Sequence, residues 1–557
     1  MPALKETSAV ALISTPMSYV RLKLLASVAV IFTIALFLWS LNHYDDAALN
    51  CLTNPGHRLS SALCSSFPSL SSSSSLPSHL PASPPSHHGT PQPKLESGQP
   101  NQLCDTLGIA TTHPLPFSEW LIAKNYTRTY LRTHHLAPET QFESLETLHG
   151  RVLQPFRPMN RGMTVDPSSD EISQPCPPIV DVDVAADHDP SHTSKILFGL
   201  ATTTDRLRHF LPSLLYSYGS TQASLLVLVP SDTKNLREQE AFFRNAGLDI
   251  TLQTSPLEFT ARYFSLVNAF TSHIETHRPD TTWVSWVDDD TFFLSLPSLA
   301  TNLSTLNTSK PIYLGSLSEA SMQVDAWGHI GFGGAGIFVS VPLLEQLHEV
   351  YERCQVWGSQ PGDQKLAQCI ETFSDANLTT WDSLYQVDIR GVLDGLFESG
   401  RRIDSLHHWE SWYKKDVVKM STVAVVAGGR SILRRWRFDE GIILDEETRT
   451  RSKTFWVLTN GYSLVKYTLT DPKLSATDAV DFDKIEKTWD EEQGFERRLG
   501  PLRPKEQAGV RKERWLLEDA IVIGGDVYQS YVRDGEEGNA RDGHSVIEII
   551  FKVEIQD

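Results

Sequence analysis

Cysteine is scarce in this sequence, with six in 557 residues. So few cysteines exclude a small fold held together mainly by disulfides, although an oxidising compartment would still allow a few bridges. We expect Cys354 and Cys369 to form one bridge, because they lie close in sequence across a predicted helix–loop–helix. A pair of free buried thiols is the alternative interpretation.

Positive charge is also in deficit. The chain carries 49 Lys and Arg against 68 Asp and Glu, for a formal net charge of −19. A general nucleic-acid-binding protein needs a basic face, so the composition excludes that class. It does not exclude a small anionic ligand, because one bound cation in an acidic cleft reverses the local sign of charge.

Long apolar runs are rare, and the run Leu24–Leu41 stands out because it contains no charged residue. It is long enough to span a bilayer as a helix. Arg21 and Lys23 precede it, so the positive-inside rule predicts a cytoplasmic tail before it and a lumenal chain from residue 42. A cleaved signal peptide is the alternative, but Trp39 does not belong to a small-residue cleavage site. We therefore expect a single-pass type II protein of the Golgi or ER membrane.

The predicted lumenal location agrees with four N-x-[ST] acceptor sequences, all downstream of the apolar run. They begin at Asn125, Asn302, Asn307 and Asn377.

Composition divides the remaining chain into four segments. Residues 42–103 are rich in Ser and Pro and poor in large apolar residues, which is typical of a disordered stem. Residues 104–193 are predicted to be a partly ordered stem, with a helical candidate at 116–135. Residues 194–410 form the next unit, and short strand-like runs across 411–557 predict a β-rich extension.

Apolar strands alternate with amphipathic helices in the first half of the segment 194–410. "SKILFGLATT", "ASLLVLVPSD" and "TTWVSWV" are such strands, and Pro212 is expected to kink the helical pattern that follows the first of them. This alternation predicts an α/β domain with a mostly parallel central sheet. Ligands of such sheets bind at the carboxyl ends of the strands.

Three consecutive aspartates, Asp288, Asp289 and Asp290, stand at one of these strand ends. A hard divalent cation takes few protein carboxylates and completes its coordination with water and phosphate oxygens. The triplet is therefore a candidate site for a metal and a diphosphate. The alternative is an acidic surface turn whose side chains satisfy local backbone donors.

Three further segments carry candidate chemistry. Glycines within 331–336 allow close approach of a ligand, or mark a bulge. Asp363 is predicted at the N-cap of a helix, where a carboxylate facing a cleft would also accept a proton. His407 and His408 are either polar surface residues or the completion of a metal site begun by the aspartates.

Together these segments resemble the fringe-like glycosyltransferases, an inverting group that includes Fringe and the β-1,3-galactosyltransferase of mucin-type core synthesis. The passage at 385–411 is similar to a fungal and plant branch of that group. The resemblance covers about residues 195–410 and depends on four motifs in order, "WVSWVDDDTFF", "GGAG", "GDQKLAQC" and "SLHHWES".

The resemblance implies a GT-A fold, a UDP-sugar donor and Mn²⁺ or Mg²⁺. By position, Asp363 matches the general base, while Gly362 stands where relatives often carry an acidic residue. Asp290 matches the direct metal ligand, and His408 the late metal-binding histidine, with His407 as the alternative. The implied donor and metal residues also include Asp288, Asp289, Gly333, Gly334, Ala335 and Gly336.

The expected activity is transfer of a sugar, with inversion, to a hydroxyl of a glycan or glycoprotein acceptor. One alternative is an inactive glycan-binding or chaperone-like protein of the same fold, which would bind UDP without turnover. Another is a metal-dependent phosphohydrolase, but no phosphate-cradling loop or nucleophile motif supports it.

Overall fold

The computed structural model describes most of the chain between residues 123 and 553. The predicted cytoplasmic tail, membrane anchor and Ser/Pro-rich stem, residues 1–103, lie outside the described residues. Within 123–553 the residues left out of the description are 151, 154–155, 159–178, 359, 445–449, 472, 474–479, 490–497 and 534–543.

The membrane-spanning element of the predicted fold requires a correction. Among the described helices, none has the length and apolar composition needed to cross a bilayer. The longest of them, Phe259–His277, has 19 residues but carries Arg262, His273 and Glu275, so it lacks a continuous apolar surface. The structure thus contradicts the predicted single-pass anchor and type II Golgi location, and neither is carried further.

Strands dominate the described chain. In order they are β1 (Ala123–Leu136), β2 (Glu146–Thr147), β3 (Arg157–Pro158), β4 (Ile179–Ala185), β5 (Ile196–Ala201), β6 (Ser224–Pro230), β7 (Ile250–Ser255), β8 (Trp283–Trp286), β9 (Phe292–Phe293), β10 (Tyr313–Gly315), β11 (Ile337–Ser340), β12 (Leu378–Thr380), β13 (Leu384–Tyr385), β14 (Ser405–Leu406), β15 (Arg435–Leu444), β16 (Arg451–Thr459), β17 (Ser463–Leu469), β18 (Ile485–Glu486), β19 (Leu502–Arg503), β20 (Val510–Ile523), β21 (Asp526–Arg533) and β22 (His544–Lys552).

The α-helices fall between β5 and β15. They are α1 (Thr204–His209), α2 (Leu211–Leu214), α3 (Leu236–Ala246), α4 (Phe259–His277), α5 (Leu296–Ser304), α6 (Ser321–Trp327), α7 (Val341–Glu349), α8 (Gly362–Phe373), α9 (Asp394–Phe397), α10 (Val417–Ser421) and α11 (Ala424–Ala427).

The predicted α/β domain with a mostly parallel sheet is confirmed by strand order. A seven-stranded sheet runs β12-β10-β11-β8-β5-β6-β7, and its neighbours are parallel except where β11 pairs with β8 and with β10. Strands β5 and β8 are buried along their whole length because helices cover both faces. As expected from Pro212, the first helical segment breaks at Phe210 into α1 and α2.

A second, ten-stranded sheet combines the C-terminal strands with strands from the predicted stem, in the order β2-β15-β16-β17-β20-β21-β22-β1-β3, with β4 on β1. The helical candidate at 116–135 is wrong over its described part, which forms β1. Thr and Tyr are frequent there and favour a strand, and β22 and β4 pair with β1 in parallel.

A disulfide joins Cys354 to Cys369, as predicted from their spacing. It links the 3-10 turn Arg353–Trp357 to the face of α8 that packs in the core. The bridge therefore anchors the helix whose first turn carries Asp363.

Candidate active site

The aspartate triplet follows β8 directly, at the carboxyl edge of the seven-stranded sheet. The backbone N–H of Asp288 donates to Thr291 Oγ1 at 3.0 Å, and the Thr291 hydroxyl donates to the carbonyl of Gly334 at 2.9 Å. These two bonds join the triplet to the glycine loop. The triplet and the glycine loop, which are more than forty residues apart in sequence, are thereby connected through the Thr291 hydroxyl.

The three carboxylates have different surroundings. Asp289 is buried and accepts hydrogen bonds from the Thr202 hydroxyl and from Arg206 Nε, the latter at 2.7 Å. Its charge is therefore already matched by a guanidinium on α1. Asp288 and Asp290 instead face a histidine, so these two remain available to a cation.

His407 lies between those two carboxylates. Its Nε2 is 3.0 Å from Asp290 Oδ1 and 3.4 Å from Asp288 Oδ2. Its Nδ1 is buried and has no hydrogen-bond partner within the described part of the chain. The ring fits only because residue 334 is glycine: a Cβ there would stand 2.2 Å from His407 Nδ1.

His408 occupies the outer side of the same group. Its Nε2 is 3.6 Å from Asp388 Oδ1, and its ring stacks on Trp412 with a centroid distance of 3.9 Å. Its backbone is left-handed, with φ of 53°, and the centroid of its ring lies 3.7 Å from that of His407. Ligand atoms of Asp290, His407 and His408 all lie within 4.8 Å of one another.

Charge within the group is unevenly balanced. Burial raises the pKa of Asp288 to about 7, with further raising by the neighbouring aspartates and lowering by His407. Burial also acts on Asp290 and His407, but their mutual hydrogen bond and charges prevail, so the pKa of Asp290 is lowered and that of His407 raised. His407 alone thus balances the charge of two carboxylates. The oxygen atoms of Asp288 and Asp290 and the nitrogen of His407 form a set of ligands that fits a hard divalent cation.

Asp363 lies in the first turn of α8, but Pro361 takes the N-cap position predicted for it. Its Oδ1 accepts from the Gln364 N–H at 2.8 Å, and its Oδ2 from the Gly333 N–H at 3.5 Å. Burial raises its pKa, while these backbone donors oppose the rise. The carboxylate therefore contacts the glycine loop at Gly333, the residue next to the one that packs on His407.

Tyr263 on α4 explains why two residues next to Asp363 in space, Gly362 and Gly333, are glycines. A Cβ at Gly362 would lie 2.3 Å from Tyr263 Cδ1, and one at Gly333 would lie 2.1 Å from its hydroxyl. The tyrosine ring fills the space that an acidic side chain at 362 would need. The glycine loop ends at Gly336, whose φ of 101° favours glycine.

Several residues of the site were not among those that the sequence predicts. Thr202 and Arg206 follow the carboxyl end of β5, so the strand-end rule offered a signal for them. Trp409 donates its indole N–H to the carbonyl of Asp290 at 2.7 Å, and Glu319 accepts from the Asp388 N–H at 2.9 Å. Trp409 follows His408 within the motif "SLHHWES" but is not predicted as a site residue, and nothing in the sequence near Glu319 marks it.

Family models match two overlapping parts of the chain. Residues 192–388 match the model described as Fringe-like. Residues 326–475 match a model described as a protein of unknown function, DUF604. No curated protein matches the sequence.

Solved glycosyltransferases are among the structures similar to this chain. A mannosyltransferase from Pyrobaculum calidifontis, in complex with GDP-Man and Mn²⁺, is 11% identical over 36% of this chain, with a TM-score of 0.23. This chain spans 58% of that enzyme. A glycosyltransferase that acts in glycosylation of the major capsid of PBCV-1 is 18% identical, over 38% of this chain and 91% of that one, with a TM-score of 0.23.

The Fringe-like match places this protein in the class of glycosyltransferases. Within that class, the two matches support a fringe-like glycosyltransferase domain in the part of the chain that they cover.

Proposed function

We propose that the protein is a metal-dependent, inverting hexosyltransferase of the β-1,3 type, which transfers a sugar from a UDP-sugar to a hydroxyl of a glycan or glycoprotein. One observation carries the proposal. Asp288, Asp290 and His407 converge beside the glycine loop at Gly334, and Asp363 contacts the same loop at Gly333. A candidate metal-binding group and a candidate proton acceptor therefore meet at one loop.

Asp290 and His407 are the residues that would hold the divalent ion, with Asp288 and His408 close enough to join them. When bound, Mn²⁺ supplies a Lewis acid for the negative charge of the diphosphate. Arg206 keeps Asp289 in place beside this group, and its half-exposed guanidinium also adds positive charge at the rim of the cleft.

Asp363 is the proposed general base. Its carboxylate would take the proton from the acceptor hydroxyl as that oxygen attacks the anomeric carbon opposite the departing UDP. A single displacement of this kind inverts the anomeric configuration. Burial raises the pKa of Asp363 toward the working range of a base, and the Gly333 and Gln364 N–H groups fix its orientation.

The substitution Asp363→Asn tests this role. General-base catalysis contributes about 10²–10⁴-fold, so turnover should fall by that factor while UDP-sugar binding by calorimetry persists. Asp375→Asn, an exposed aspartate just beyond α8, is the matched control and should retain full turnover. Normal turnover by the Asp363→Asn variant would remove the base assignment.

A second experiment tests the reaction class. Residues 104–557 are screened for UDP release from a panel of UDP-sugars with Mn²⁺, with and without EDTA. Acceptor-stimulated release that EDTA abolishes supports the proposal. UDP binding without turnover would instead favour the inactive glycan-binding protein, and release that no acceptor stimulates would favour a phosphohydrolase.

A further inference from the structure

A cavity of about 360 Å³ lies beyond the catalytic group, at the far end of the seven-stranded sheet. The residues that line it are two aromatics, two arginines, one aspartate and two hydroxyl residues: Trp381, Tyr385, Arg401, Arg402, Asp382, Thr380 and Ser383. The proposed reaction at the aspartate triplet uses none of these residues. A concave surface of aromatic rings and arginines is unusual on a chain with a net charge of −19.

Strand directions place this cavity on the same edge of the sheet as the aspartates. Strand β12 is parallel to β10, and both β10 and β8 are antiparallel to β11, so β8, β10 and β12 end at one edge. Trp381 follows β12 directly, and its backbone N–H donates to the carbonyl of Gly315 at the end of β10 at 2.8 Å. Three strand spacings separate β8 from β12, which is about 14 Å.

The nucleotide belongs on the opposite side of the aspartates. In the order β8-β5-β6-β7, the chain moves outward from β5 to β7 and then returns beside β5, so the topological switch point lies between β5 and β8. Nucleotides bind in the crevice at such a point. The edge from β8 toward β12 is thereby left for the acceptor.

Charge around the cavity is not fully matched. Arg402 pairs with Asp404 at 2.8 Å, and Arg498 lies 4.0 Å from Asp382. Arg401, in contrast, pairs with no carboxylate among the residues that the structure describes. The three arginines Arg401, Arg402 and Arg498 thus have two carboxylates near them, Asp404 and Asp382. The positive charge of Arg401 is left without a matching negative charge at the cavity.

We propose that this cavity is an acceptor subsite for an acidic sugar, one that carries a carboxylate, sulfate or phosphate group. The Arg401 guanidinium would bind the anion with paired N–H donors, and the Trp381 ring would pack against the apolar face of the sugar. The acceptor is then an oligosaccharide, because a single sugar would not reach from the aspartates to the cavity. The proposal rests on the proposed glycosyltransferase function of the neighbouring site.

Direct binding of glycans to the full-length protein tests the proposal without requiring turnover. A neutral oligosaccharide is compared with versions bearing a terminal glucuronate, a 6-O-sulfate or a 6-O-phosphate, which separates the three anion sources. The best acidic version should bind on the order of ten-fold more tightly than the neutral parent, as expected for one charge-assisted contact. Equal binding of all four would overturn the proposal.

Variants then assign the preference to the cavity. Arg401→Gln should abolish the preference for acidic glycans, and Arg401→Lys should keep part of it because the charge remains. Arg511→Gln, which removes an exposed arginine from β20, is the matched control and should keep all of it. Retention of the full preference by Arg401→Gln would contradict the assignment.

The same measurements distinguish the subsite from the transfer reaction. Acidic-glycan binding that depends on Arg401, found without UDP-sugar turnover, would support the subsite and reject the proposed enzyme. Turnover with identical KM values for acidic and neutral acceptors would support the enzyme and reject the subsite.

Discussion

At the scale of single residues, the site depends on close packing that only glycine permits. His407 reaches both Asp288 and Asp290 because the Gly334 backbone passes against its ring. Residue 334 does not have a positive φ, so alanine could adopt its backbone conformation. The alanine Cβ would, however, clash with the His407 ring. An alanine substitution therefore probes the position of the histidine and not the turn.

We predict that Gly334→Ala lowers Mn²⁺ affinity by about 10–100-fold, because displacement of a supported ligand has an effect of that size. Titration calorimetry with Mn²⁺ measures it. Gly219→Ala is the control, since a Cβ there meets no atom closer than 3.4 Å. Unchanged affinity in the Gly334→Ala variant would exclude His407 as a ligand.

Glu319 is a buried acid behind the site. It is fully buried, its Oε2 accepts from the Asp388 N–H, and its Oε1 has no partner in the described part of the chain. Burial raises its pKa to about 7, and the charge of Arg498 limits the rise. From pH 4.5 to 7 the folded protein therefore keeps a proton that the unfolded chain releases. Stability from this group consequently falls as the pH rises through that range.

We predict that Glu319→Gln stabilises the protein at pH 8 by up to roughly 3 kcal/mol, because glutamine removes the cost of ionising a buried acid. Near pH 5 the variant and the wild type should be about equally stable. Chemical denaturation at both pH values measures the difference, with the exposed Glu275→Gln as control. A difference independent of pH would contradict the assigned ionisation.

At the scale of elements, β1 shows how much of the fold depends on distant pairing. It lies between β22 and β4, and Arg128 on β1 forms a buried ion pair with Glu548 on β22 at 2.5 Å. The Tyr126 hydroxyl donates to the same carboxylate at 2.7 Å. A strand of the predicted stem is thus part of the C-terminal sheet and supports its edge.

We predict that a fragment of residues 194–557 aggregates, while a fragment of residues 104–557 folds. Without β1 the backbone of β22 becomes an unpaired edge and Glu548 loses its cation, and both changes disfavour a soluble folded state. Size-exclusion chromatography and circular dichroism melting compare the fragments. Equal unfolding temperatures would show that β1 is dispensable.

Elements differ in how far the sequence predicts them. Strands β5, β6 and β8 are continuous apolar runs because both of their faces are covered. The sequence therefore predicts them correctly as strands. The sequence analysis predicts a helix over β1 although its Thr and Tyr residues favour a strand, because the partners that hold the strand are not visible in the local sequence. One partner, β22, lies more than 400 residues away, and no local pattern specifies that register.

At the scale of the whole molecule, a buried charge cluster joins the α/β part to the C-terminal sheet. Asp394 and Glu398, at and just after α9, face Arg514 and Lys512 on β20. Burial would raise the pKa of Glu398, but Lys512 and Arg514 outweigh it and lower the value to about 2. Stability from Glu398 is therefore present above pH 4.5 and is lost as the pH falls toward 2.

We predict that Arg514→Met lowers the free energy of unfolding at pH 7 by about 3–5 kcal/mol, because two buried carboxylates lose a partner. The loss should shrink as the pH falls from 4.5 toward 2, because the stability that Glu398 contributes is lost over that range. Urea denaturation at pH 7 and near pH 2.5 measures both effects. Arg511→Met, an exposed position on the same strand, is the control. A loss that stays constant with pH would argue against unpaired charge as its cause.

The sequence by itself determined the chemistry of the site: an acidic triplet at a strand end, a glycine loop, an acid at a helix start and a late histidine pair. Tertiary structure alone decided that His407 contacts both Asp288 and Asp290, because the distant Gly334 backbone leaves room for its ring. It also decided that Pro361 and not Asp363 caps α8, and that Tyr263 fills the space beside Gly362. Motifs are local in the chain, whereas side-chain direction and strand partnership depend on packing between segments far apart in sequence.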